Sequence, residues 1–333
     1  MRSVEEFRAL KKEGQVEEVI FSTWQSELEK HPEAIEYITS EGIVVIFNEE
    51  PKVNSGSAFH QMKSLHIGLD NIKNKNNYIF KTRPDLYISG KYVKKIASLN
   101  YDIETEKSPF SNKIWVPWFE ISKPFYLADE CFYCCYSDAL KLVNYNTIYD
   151  NYFDIDAGIT HIRRFYEPFF YIYKEFHHYF KVFGETGHGT ELRFEIFEML
   201  KGNHNYNALI QLYYKVLKDN FLIGLDESGY IEFREWNESA SRPNLSNFHG
   251  SIRPENSFCP SKGQIYSYDL SYIDCEIENN VIQLGEDVTL KDDIKLKKDI
   301  MIALSTLKKA PLALRIKRKL VNVILNYRLS AKQ

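Results

Sequence analysis

The chain has 333 residues, 44% of them hydrophobic and 15% aromatic, with 23 Tyr and 22 Phe, so it can bury a sizeable core built on rings. Its net charge of −4 argues against bulk nucleic-acid binding, which needs an excess of Lys and Arg. Residues 305–333 carry eight Lys or Arg and no acid, so the rest of the chain carries −12 against the total of −4. That asymmetry points to a basic tail on an acidic globule.

From the amino end, residues 3–14 read as a helix that Ser3 can cap and Gly14 ends. Residues 19–21 form a short apolar strand running into Ser22-Thr23-Trp24-Gln25, where hydroxyls and an indole suit a nucleobase or ribose. Capping of the next helix by Ser22 or Thr23 is the alternative. A helix over 27–40, a β-branched strand over 43–47 closed by Asn48, a Gly/Ser/Asn-rich loop and a helix over 59–71 follow. Strand and helix alternating at this spacing predict βαβ units and a mostly parallel sheet.

The next strand, residues 78–80, runs straight into Lys81-Thr82-Arg83-Pro84-Asp85. Pro84 stiffens this turn by fixing its own φ and restricting Arg83. In open α/β sheets ligands sit outside the carboxyl ends of strands. A carboxylate there suits Mg²⁺ or Mn²⁺, and a guanidinium suits phosphate. An exposed salt bridge in an ordinary turn is the alternative.

A helix is expected over 91–99, a strand over 113–118, and a helix docking on the sheet over 131–144, with Asp129 and Glu130 at its mouth. Those acids either complement a helix dipole or act as catalytic base or metal contact. Cys131, Cys134 and Cys135 lie in an apolar aromatic run with no second CxxC or suitably spaced histidines. They read as reduced core thiols of a cytosolic protein in preference to a zinc site. His161, His177, His178 and His188 show no metal-ligand spacing, and the glycine-rich turn 184–191 matches no phosphate-binding pattern.

The aromatic run 145–183 is expected to be largely helix and core, 207–218 an amphipathic helix, and 221–236 a hairpin turning at 226–229. Residues 237–263 are the best linker or active-site loop. The tail from 291 has an apolar and a basic face, suited either to an anionic membrane surface or to packing with its charges solvated. Neither a transmembrane stretch nor a signal peptide is read from the sequence.

Three ordered pieces resemble the WavE lipopolysaccharide-synthesis family: Phe21-Ser22-Thr23-Trp24, the Gln61-containing helix, and Lys81-Thr82-Arg83-Pro84-Asp85-Leu86. The likeness covers about residues 15–90 and fades after Asp129. It implies a GT-A-like nucleotide-diphospho-sugar transferase fold, with residues 1–145 binding the nucleotide sugar, 146–290 on the acceptor side, and 291–333 as basic amphipathic helices. It further implies a glycosyltransferase that builds lipopolysaccharide or capsule, uses Mn²⁺ or Mg²⁺, and works in the cytoplasm or at the inner-membrane surface. Asp85 would bind the metal, Lys81 and Arg83 the diphosphate, and Thr23, Trp24, Asn48 and Gln61 the nucleotide sugar. Asp129 would be the catalytic base, and a polysaccharide or lipid-linked oligosaccharide the acceptor. A non-catalytic, membrane-associated polysaccharide-binding factor is the rival reading. Family members open with a strand before the first helix, whereas this chain enters that helix within three residues of Met1. The resemblance therefore implies that the sequence starts short of that strand, since a missing central strand leaves backbone groups unpaired.

Overall fold

A computed structural model describes residues 2–50, 57–84, 86–117, 119–120, 127–128, 131–143, 164–173, 204–224, 231–233, 257–259 and 264–267. Helix α1 (Arg2–Lys12) has an acid in its first turn and lysines in its last, which complements the helix dipole. Its end is a Schellman motif: Gly14, at φ 70°, bonds back to Lys11 and Gln15 bonds back to Leu10. Strand β1 (Ile20–Trp24) follows, then α2 (Gln25–Lys30) and α3 (Pro32–Ser40). Pro32 at the start of α3 splits the single expected helix in two, because its ring disfavours helical geometry at His31.

Strand β2 (Val44–Asn48) pairs parallel with β1, Ile20 opposite Val44 and Trp24 opposite Asn48. Helix α4 (Ser57–Asp70) then leads to β3 (Tyr78–Lys81), β4 (Leu86–Ile88) and α5 (Gly90–Ala97). Ser89 caps α5 by accepting the Tyr92 N–H, and the Glu6 carboxylate of α1 accepts the Gly90 N–H at 2.7 Å. A carboxylate at a helix N-terminus is favourable, so this contact pins α1 against α5.

Further strands are β5 (Ile114–Val116), β6 (Phe119–Glu120) and β7 (Phe132–Cys135), followed by α6 (Tyr136–Leu142). Residues 132–135 are therefore strand where a helix was expected: they alternate between the two faces of a sheet, and the helix begins only at Tyr136. Later come a 3-10 turn (Glu167–Phe169), α7 (His204–Asn220), β8 (Phe221–Ile223), β9 (Ile231–Phe233), β10 (Ser257–Cys259) and β11 (Gln264–Ser267).

The central sheet runs β3-β7-β5-β8. β7 is antiparallel to both of its neighbours, whereas β5 and β8 are parallel. The fold is thus mixed α/β with small sheets, which corrects the expected mostly parallel sheet. The expected hairpin over 221–236 is also replaced: β8 joins β5, while β9 pairs antiparallel with β4. Strand β11 pairs with both β10 and β6. Segments after residue 200 therefore add strands to elements from the first 145 residues.

Side-chain alternation divides the central sheet into two apolar faces. Ile79, Phe132, Cys134, Ile114, Val116 and Phe221 pack with α4, α6 and α7. Phe80, Tyr133, Trp115 and Leu222 pack with α1 and α5. Burying one such ring fully stabilises the fold by about 1.5–3 kcal/mol, so Trp115 and Phe132, both wholly buried, anchor opposite sides. Trp115 also donates its indole N–H to the Gly224 carbonyl at 2.7 Å, which ties β5 to the end of β8.

Among the described residues no backbone pairing joins β1 to β3. Side chains and α4 connect them instead. Glu17 accepts from Asn77, and Glu18 accepts the Lys73 N–H, which places the amino ends of the two strands together. Ser64 of α4 donates to the Ser22 carbonyl at 2.9 Å, on the side of β1 away from β2. The basic segment 291–333 and the turn 184–191 lie outside the described residues, as do His161, His177, His178 and His188. Among the described helices none is long and apolar enough to cross a membrane.

Candidate functional site

The carboxyl ends of β1, β2 and β3 gather at the first turns of α4. At the β1–β2 end, the Asn48 amide donates to Ser22 Oγ at 2.9 Å and to the Thr23 carbonyl at 3.1 Å. Asn48 and Thr23 are both buried, so this amide holds the two strand ends in register. Ser22 and Thr23 do not cap α2: they lie within the strand, Trp24 occupies the cap position, and no side chain bonds there. A Cβ placed on Gly68 would stand 3.7 Å from that of Ser22, so α4 runs close over β1.

Beyond the strand end, the Trp24 indole stands edge-on to His60, with ring centroids 5.2 Å apart. His60 Nε2 is in turn 3.7 Å from a Glu50 carboxylate oxygen, and Ser26 donates to the other oxygen of that carboxylate. The next residue of α4, Gln61, serves the neighbouring strand: its Oε1 accepts from Lys81 Nζ at 3.3 Å. Consecutive helix residues point about 100° apart, so one turn of α4 addresses Trp24 with His60 and Lys81 with Gln61.

Lys81 is only 8% exposed, unusual for a lysine. In the β3–β7 ladder it lies opposite Phe132, and its ammonium sits 6.0 Å from that ring's centre. Arg83 is half-buried two residues on, and Pro84 is exposed. Asp85 lies outside the described residues, between Pro84 and the backbone of β4. Asp129 and Glu130 also lie outside them, flanked by Ala128 and Cys131, which are wholly buried.

Thr23, Trp24, Asn48, Gln61 and Lys81 are therefore brought to one end of the sheet, with Arg83 adjoining. His60, Glu50 and Phe132 are additions that sequence reasoning passed over. Spacing carried one signal for His60, since it immediately precedes Gln61 on the helix. Phe132 could be found only through the ladder that sets it opposite Lys81.

Cys131, Cys134 and Cys135 belong to no metal-binding group among the described residues. Cys131 and Cys134, three residues apart on an extended segment, pack on opposite faces of the sheet. Burial pushes the Cys134 thiol well up from its ordinary value, and burial likewise raises the half-buried Cys135. Among the described residues no group of three His, Cys, Asp or Glu could hold a metal ion.

Buried Asp138 has a structural place. Its carboxylate accepts the backbone N–H groups of Ser111 and Asn112, the Lys141 ammonium and the Cys135 thiol. It thereby fastens the loop before β5 to the start of α6.

Comparison with protein-family models, with characterised proteins and with solved structures finds no match to this chain.

Proposed function

We propose that the chain is a glycosyltransferase that takes a nucleoside-diphosphate sugar at the carboxyl ends of β1–β3 and passes the sugar to a bacterial surface polysaccharide or its lipid-linked precursor. The observation that carries the reading is the nearly buried Lys81. It sits at a strand's carboxyl end, is oriented by Gln61, and shares one turn of α4 with the Trp24–His60 ring pair. An ammonium at the carboxyl end of a strand suits an anionic group, and the ring pair beside it offers an apolar surface for a base.

In this reading Trp24 and Thr23 flank the base or ribose, and Lys81 and Arg83 hold the diphosphate. The bond from the sugar's anomeric carbon to the diphosphate oxygen breaks as the acceptor oxygen bonds to that carbon. Inversion would send the acceptor's proton to a carboxylate, the role proposed for Asp129. Asp85 would supply one carboxylate to a Mg²⁺ or Mn²⁺ carried mainly by phosphate oxygens, an ion that offsets charge on the departing diphosphate. Residues 291–333, with their basic excess, would bring the protein to the cytoplasmic membrane surface where such acceptors are assembled.

Thermal melting with UDP, GDP, CDP and CMP, each with and without Mn²⁺, tests this reading. One nucleotide at about 100 times its Kd should raise the Tm by roughly 5 °C. Lys81→Met should lose most of that rise, and Asp85→Ala its metal dependence. A flat response to every nucleotide sinks the reading.

A further inference from the structure

Just past the end of β2 a carboxylate stands beside the Trp24–His60 ring pair. Glu50 follows Asn48, the last residue of that strand, by two positions. Its Oε2 accepts from Ser26 Oγ at 3.4 Å, and its Oε1 is 3.7 Å from His60 Nε2. Both contacts are long for hydrogen bonds, and a carboxylate can accept at about four lone-pair sites. Lys30 lies nearby but is paired with Glu27 at 2.9 Å. The Glu50 side chain is 52% exposed, so its remaining accepting capacity is open to a ligand.

Direction decides which part of a nucleotide meets this group. Gln61 turns toward Lys81, whereas His60, one residue earlier, turns toward Trp24 and Glu50. With the diphosphate on the Lys81 side and the base on the rings, Glu50 meets the base-pairing edge, the part of a nucleotide farthest from its phosphates. A carboxylate only accepts hydrogen bonds. Guanine alone among the common bases sets two donors side by side on that edge, N1–H and the exocyclic N2 amine. Uracil offers one N–H between two carbonyls, and cytosine and adenine each set an amine beside an accepting ring nitrogen. Against those three bases the second carboxylate oxygen faces an acceptor, which costs binding.

We propose that Glu50 reads guanine, so that the nucleotide taken by this chain is a guanosine diphosphate sugar. The proposal rests on the nucleotide reading above and names its substrate class. Ser26 and His60 hold the carboxylate at the rings, and the pair of parallel acceptors selects the base.

The test is calorimetric titration of the 333-residue chain, as wild type, Glu50→Gln and Glu50→Ala, with GDP, inosine diphosphate, UDP, CDP and inorganic pyrophosphate. Wild type should bind GDP roughly 10- to 100-fold more tightly than UDP or CDP. Inosine diphosphate, which lacks only the N2 amine, should fall about 10-fold short of GDP. Glu50→Ala should close that gap, Glu50→Gln, which keeps one acceptor, should narrow it, and neither should change pyrophosphate affinity. If a variant fails to fold by circular dichroism, the wild-type order of GDP, inosine diphosphate, UDP and CDP decides alone. A wild-type preference for UDP or CDP, or a gap that survives in Glu50→Ala, overturns the guanine assignment and leaves the nucleotide reading standing. A wild-type chain that binds no nucleotide overturns both.

Discussion

The indole of Trp24 meets the imidazole of His60 edge to face, their planes 88° apart, and so joins the end of β1 to the first turns of α4. The pair offers a ring surface beside Lys81. His60→Ala should therefore weaken nucleoside binding about 3- to 10-fold, and Trp24→Ala more. Neither should alter pyrophosphate affinity. Titration of both variants with uridine, guanosine, cytidine and pyrophosphate checks the split, and equal losses for nucleoside and pyrophosphate would reject it.

Asp138 is expected to be the costliest carboxylate to remove among those described. It is fully buried and receives two backbone N–H groups that no water replaces readily. Asp138→Ala strands those donors together with Lys141, and should lower stability by about 3 kcal/mol. Urea denaturation followed by circular dichroism reads this directly. A loss below about 1 kcal/mol would mean that the loop holds its place by other contacts.

Alkaline pH should loosen the fold before it reaches the site. Burial lifts the Cys134 thiol and the Tyr92 and Tyr101 phenols well above their ordinary values, and Tyr133 is pushed up to about 12. The unfolded chain then releases these protons first. Stability is accordingly full below the ordinary thiol value of 9.0 and falls as pH climbs past it, more steeply beyond the phenol value of 10.0. Denaturation midpoints at pH 7.5, 9.5 and 10.5 should drop in that order, and a flat profile contradicts the burial assigned to these groups.

Tyr92 sharpens that expectation. Its hydroxyl is buried with no hydrogen-bond partner among the described residues. Tyr92→Phe removes a polar group that folding must dehydrate, so stability at pH 7 should rise by roughly 1 kcal/mol. The same variant should unfold less readily above pH 10 than wild type. A destabilised Tyr92→Phe would show that the hydroxyl has a partner after all.

Gly14 closes α1 in the left-handed region with no atom within 4 Å of where a Cβ would stand. Any cost of Gly14→Ala is then purely conformational, about 1 kcal/mol. A measured loss of several kcal/mol would point to a neighbour that the open space denies.

Local chemistry made much of the first hundred residues legible. Gly14 marked the end of α1, β-branched runs marked β1 and β2, and the alternation of strand and helix marked the α/β class. Trp24 and Lys81 were legible for the same reason, each sitting where an apolar run meets polar residues, whereas Gln61 entered only through the resemblance of its helix. Partnership across long sequence distances was not. Nothing in residues 221–236 reveals that 221–223 will lie beside Ile114–Val116 and not beside 231–233. Residues 132–135 read as helix because an aromatic run lacks a period that separates buried strand from buried helix. Asp85, Asp129 and Glu130 fall outside the described residues.

The absence of a described backbone ladder between β1 and β3 bears on how the molecule breathes. A continuous sheet opens as one cooperative unit, since each strand's amides are locked by the next. Among the described residues the β1–β2 pair is fastened to the rest through α4 and a few side chains, and its residues are on the whole less buried than those of β5 and β7. Amide protons of residues 20–24 and 44–48 should therefore exchange with solvent through an opening of lower free energy than those of 114–116 and 132–135. The half of the site bearing Trp24 would then come and go as a separate cooperative unit while the half bearing Lys81 stays folded, and a ligand spanning both would slow that exchange.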